Sequence, residues 1–142
     1  MSKKRLRYLS KMQVDILIKY YYIKKFTTIA KMESLTTNQV KQQFSNALVA
    51  IRLAYSPLYK QGLHFDAAVV LRRMAENADL TEQELCDIFR QYISEGLTSK
   101  DRRFWEHVAA GQELTPLGLL SFLWAKFEAD IMPVHTWDLF GK

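Results

Sequence analysis

Three features of this sequence predict an all-α fold. Breakers are scarce, with five glycines and three prolines among 142 residues. Apolar residues recur at three- and four-residue spacing over most of the chain rather than in alternation. Two capping boxes, Thr36-x-x-Gln39 and Thr81-x-x-Glu84, mark helix starts. Half of the residues are hydrophobic (49%) and a quarter are charged (25%), a composition that supports a folded core.

Residues 1–8 read as a basic arm. Leu9, Met12, Ile16, Leu17, Tyr20 and Ile23 predict a first helix. Thr27 or Thr28 caps a short second helix through about Glu33. The box at Thr36 opens a third, with Val40, Phe44, Ala47, Leu48 and Ile51 in one stripe to about Ala54. Tyr55 to Gly62 breaks the pattern, so residues 55–63 read as a linker. The remainder, 64–142, reads as a helical bundle for association or partner binding. Its helices run from His64 to Asn77, from the Thr81 box to Gly96, and from a Thr98 or Ser99 cap through Lys100–Ala110, closed by Gly111. A last one starts at Thr115-Pro116, proline being well tolerated in a first turn, and runs to Ile131. That helix is apolar nearly all round, which predicts burial at the centre of the second half or in a partner. Pro133 ends it, and the tail carries Trp137, Leu139 and Phe140.

Charge is divided sharply along the chain. Residues 1–60 hold twelve lysines and arginines against two acids, net +10; residues 61–142 hold eight against thirteen, net −5. Such asymmetry predicts that the first half meets a polyanion. No apolar run is long enough to cross a membrane, and the basic N-terminus is not followed by a signal-peptide core. A single cysteine, Cys86, makes no internal disulfide, and a reducing cytoplasm suits it.

Catalytic signatures are missing. His64, His107 and His135 are scattered, and no P-loop, dinucleotide fingerprint or nucleophile elbow occurs. Neither an enzyme, a metal site nor a cofactor is predicted. Tyr20-Tyr21-Tyr22 could stack single-stranded bases, but core filling is the stronger reading.

The stretch IAKMESLTTNQVKQQF, residues 29–44, carries the functional signal. Ile29 and Ala30 lie on the second helix, Ser34-Leu35 makes a turn, and Val40 and Phe44 pack the third helix back onto the second. Thr37, Asn38, Lys41, Gln42 and Ser45 fall on the opposite face, and no acid occurs between Glu33 and Asp66. Amide and basic side chains in that setting suit base edges in a major groove. Lys19, Lys24, Lys25, Lys31 and Arg52 are the candidate phosphate contacts.

Leu9 to Arg52 resembles the fourth-region helix-turn-helix of bacterial sigma factors and the related LuxR-type domain. The resemblance rests on Ile29-Ala30, Leu35, Thr36, Gln39-Val40-Lys41, Phe44, Asn46-Ala47 and Ile51-Arg52, which match the core pattern without gaps. Glu33 stands where the family has an apolar residue, Ser34 where it has the turn glycine, and Gln39 where it has threonine. About a third of the chain is covered. The resemblance implies a bacterial or phage-encoded, nucleoid-associated regulator that binds double-stranded DNA and touches RNA polymerase. The alternative is an adaptor that binds RNA polymerase or a sigma factor without reading DNA. Trp124, Phe127, Trp137, Leu139 and Phe140 are the expected partner or homodimer surface.

Overall fold

The computed structural model describes residues 8–60 and 66–127, with the side chains of 56–60 excepted. Seven helices occur among the described residues, and no strand. They are α1 (Lys11–Ile23), α2 (Phe26–Glu33), α3 (Thr37–Lys60), α4 (Ala67–Asn77), α5 (Glu82–Leu97), α6 (Arg102–Ala109) and α7 (Pro116–Lys126). None is long and apolar enough to cross a membrane.

Local chemistry accounts for most of the boundaries. The predicted boxes at Thr36–Gln39 and Thr81–Glu84 both close reciprocally, side chain to backbone in each direction. A third box, Ser10–Gln13, starts α1. Thr115 caps α7 at Gly118, with Pro116 in the first turn. The second helix begins earlier than its threonines suggest: Lys25 is the N-cap of α2 and makes no side-chain cap bond. Asp66 caps α4, accepting from Ala68 and Val69.

The centre of the molecule is α1. Gln13 through Lys19 are buried without interruption, because α1 packs against α2, α3, α6 and α7. A helix enclosed on all sides loses the one-faced stripe that its sequence suggested. Met12, expected in that stripe, is exposed instead. The last helix is the reverse case. Leu119, Leu120, Leu123 and Trp124 face the core, but Leu117, Ser121 and Ala125 face outward.

The predicted break after Ala54 does not occur, since α3 continues through Pro57 to Lys60. A proline inside a helix costs about 3 kcal/mol, so packing must hold the extension. Ala54 and Tyr55 are buried, and the Tyr55 ring lies 4.1 Å from that of Trp124 on α7. The rest of the predicted linker, residues 61–63, lies outside the described residues. Helices from both halves therefore share one core: α1 touches α6 and α7, and α3 touches α4.

Candidate nucleic-acid interface

Between α2 and α3 the chain turns in three residues. Ser34 takes a left-handed conformation (φ 58°), its N–H bonds back into α2, and the Leu35 N–H reaches the Ala30 carbonyl at 2.9 Å. This six-to-one bond is a Schellman closure, and Leu35 packs on the core behind it. An aromatic trio fastens the three helices: Tyr20, Phe26 and Phe44 have ring centroids 4.7–5.1 Å apart. Ala30 and Val40 are buried where α2 meets α3.

The outward side of α3 is set by that packing. Asn38, Lys41, Gln42, Ser45 and Asn46 are exposed, and Thr37 is half-buried. Gln42 donates to Asn46 at 3.1 Å, so the two amides are held side by side. Gln39, also exposed, is committed to the cap at Thr36. The five residues predicted to read bases thus share one side of the first half of α3.

The candidate phosphate contacts divide. Lys24, Lys25 and Lys31 are exposed and Arg52 is half-buried. Lys19 is not a surface cation. Only 1% exposed, its ammonium pairs with Glu33 of α2 and, at 2.9 Å, with Asp101 at the start of α6. Its Nζ also lies 5.8 Å from the centre of the Phe104 ring. Burial works against its charge, but the hydrogen bonds and fields of Glu33 and Asp101 outweigh that and hold the amine above its ordinary value. Lys19 is a structural tie and leaves the set of DNA contacts.

Next to it sits a buried acid, Asp15. Burial pushes this carboxyl above the ordinary carboxylate value, while Lys11 (2.7 Å) and the Trp105 indole N–H (2.9 Å) pull it down. Asp15, Glu33 and Asp101 bring carboxylate oxygens within 4.8 Å of one another. Glu33 and Asp101 both bond the Lys19 ammonium, so the cation in this cluster is the chain's own. Tyr92 completes the belt, donating to the Leu9 carbonyl at 2.9 Å, with its phenol raised by burial.

Two of the predicted partner residues are core residues. Trp124 and Phe127 are buried and their rings pack against each other at 5.1 Å, so neither offers a surface to a second protein. Trp137, Leu139 and Phe140 lie outside the described residues. The tyrosine run is also divided: Tyr21 is buried, Tyr20 belongs to the aromatic trio, and exposed Tyr22 meets Phe104 and His107 edge-on. The chain matches no family model, no curated protein and no solved structure.

Sequence reading missed a groove of about 380 Å³ beside α3. Tyr20, Phe26 and Phe44 wall it, Leu48 and Val49 line its length, and Lys41, Ser45 and Arg52 supply its polar groups. Its signal was Val49, which with Leu53 sits off the apolar stripe of α3 and remains 43% exposed.

Proposed function

We propose that this chain is a non-enzymatic, sequence-specific DNA-binding regulator in which the first half of α3 enters the major groove. The observation that carries this reading is the face formed by Asn38, Lys41, Gln42, Ser45 and Asn46, exposed, polar and without a carboxylate. It follows a three-residue turn from α2, the order expected of a helix-turn-helix. Amides pair bidentately with adenine and lysine with guanine, so this set of side chains suits direct readout. Exposed Lys24, Lys25 and Lys31 are the cations nearest in sequence to α2 and serve the phosphates.

Selecting random duplexes on the full chain tests it. A recovered consensus that Asn38→Ala with Gln42→Ala erases, while weak non-specific binding remains, supports readout by α3. Each lost bidentate pair should cost ~1–3 kcal/mol at the cognate site. No consensus, or equal loss of cognate and non-specific binding, refutes it.

A second reading draws on Val49 and Leu53, exposed apolar residues farther along α3. They suit an adaptor that binds the transcription machinery by an apolar contact instead of reading bases. In that case polymerase or a sigma factor, and not duplex DNA, is retained by the chain, and Val49→Asp abolishes retention.

A further inference from the structure

The groove along α3 has a chemistry that base readout does not use. At about 380 Å³ it falls within the roughly 300–1,000 Å³ range of small-molecule sites, and its lining has their character, apolar and aromatic with a few convergent polar groups. Lys41, Ser45 and Arg52 bring two cations and a hydroxyl, and among the described residues no carboxylate lines the groove. Lys41 and Ser45 are one turn apart on α3, so ammonium and hydroxyl converge at one end. From Ser45 to Arg52 the helix advances about 10 Å, past Leu48 and Val49. A stable protein partner needs about 800 Å² on each side, more than such a groove offers.

We propose that this groove binds a small amphipathic anion, a carboxylate with an apolar body of roughly ten carbons, a length set by the helix rise. The carboxylate accepts from Lys41 Nζ and Ser45 Oγ, and the body lies over Phe44, Leu48 and Val49. Because Lys41 and Ser45 also belong to the base-reading face, the bound anion excludes DNA. The exclusion rests on the DNA-binding reading; the site itself does not.

Decanoate below its micelle concentration is the probe, with decanol and decyltrimethylammonium as neutral and cationic counterparts. Methyl NMR of the full chain should show saturable decanoate shifts at Leu48 and Val49, with Leu119 in the core unmoved. Lys41→Gln should weaken decanoate about tenfold, the loss of one charge-assisted hydrogen bond, and leave decanol unchanged. Val49→Asn should weaken both. Circular dichroism identical to wild type confirms that these surface variants fold. Equal binding of the cationic probe overturns the proposal. So do shifts spread evenly to exposed Met12 and Leu117, the mark of an adventitious additive only. Loss of the Leu48 and Val49 signals on concentrating the chain without probe overturns it in favour of a second copy. With a selected duplex, decanoate should compete for wild type and not for Val49→Asn. Saturable decanoate binding by a chain that retains no duplex supports the site and removes the DNA reading. Duplex binding indifferent to saturating decanoate overturns the exclusion.

Discussion

Trp105 Nε1 donates to Asp15 Oδ1 at 2.9 Å, a buried hydrogen bond between α6 and the middle of α1, ninety residues apart in the chain. Lys11 holds the other carboxylate oxygen, and its ammonium lies 5.6 Å from the centre of the Trp105 ring. Acid, indole and amine form one unit that closes the second half of the chain onto the first.

That unit predicts a split between two substitutions. Asp15→Ala strands the indole N–H and should cost about 2–3 kcal/mol, whereas Asp15→Asn keeps an acceptor and costs less. The pH dependence should also differ. The folded value of Asp15 lies above its ordinary 3.8, so the folded chain holds this proton more tightly than the unfolded chain. Its contribution is full below that ordinary value and is lost as pH rises through the folded one. Urea unfolding of wild type against Asp15→Asn from pH 3.5 upward reads this, and a constant difference across that span defeats it.

Lys19→Met should destabilise by about 3–5 kcal/mol, the cost of leaving two largely buried carboxylates without their partner. Glu33 and Asp101 would then face each other across the vacated ammonium position. The Lys19 amine is held above its ordinary 10.5, so its stabilisation is intact below that pH and lost as pH rises through the folded value. Tyr92 acts in the same direction at alkaline pH. The alkaline loss in the Tyr92→Phe background therefore isolates the lysine, and its persistence in Lys19→Met with Tyr92→Phe contradicts the assignment.

Gly96 lies under the indole of Trp105. A Cβ built there comes 2.3 Å from two ring atoms. Helix propensity alone predicts that Gly96→Ala gains about 1 kcal/mol. The collision predicts a loss of about 1–3 kcal/mol or more through displacement of the ring, with a changed near-ultraviolet circular dichroism signal. The sign of the measured change decides.

Ser34 carries a left-handed backbone without being glycine. Ser34→Gly should therefore stabilise the chain by about 1 kcal/mol, by relieving the contact between Cβ and the carbonyl. Chemical denaturation measures this, and a loss would mean that the Ser34 side chain holds the turn.

DNA affinity should fall steeply with salt, and neutralising exposed Lys24, Lys25 and Lys31 together should lower the slope of log affinity against log salt by about 2–3. Arg52→Gln should add no more than one further unit by the same counting. Lys19, buried, should change stability and leave that slope alone. A wild-type slope near zero rules out phosphate contacts.

The helices were legible where local chemistry decides them. Thr36, Thr81 and Thr115 cap as their neighbours in sequence suggest, and the stripe Val40, Phe44, Ala47, Leu48, Ile51 is buried. The end of α3 was not legible, because Pro57 argues locally for a break and the packing of Tyr55 on Trp124 is a long-range contact. Lys19 misled for the same reason. A lysine in a basic half looks like a phosphate contact until Asp101, 82 residues away, is seen to reach it. Glu33 is tied to α1 by the same lysine. The outward placement of Asn38, Lys41, Gln42 and Ser45 could be read from periodicity alone; the groove required the positions of Tyr20 and Phe26.

The unbroken α3 has a consequence for portability. A rod of 24 residues is about 36 Å long, and its two ends do different jobs: the first turns carry the outward polar face, and Ala54 and Tyr55 farther along are sunk in the shared core. No hinge separates them. The first sixty residues are therefore no cassette to be grafted onto another effector, since cutting the rod exposes the floor on which α4 and α7 rest. Selection on either half of this chain is felt by the other, and recombination at residues 55–60 should yield insoluble chimaeras rather than new specificities.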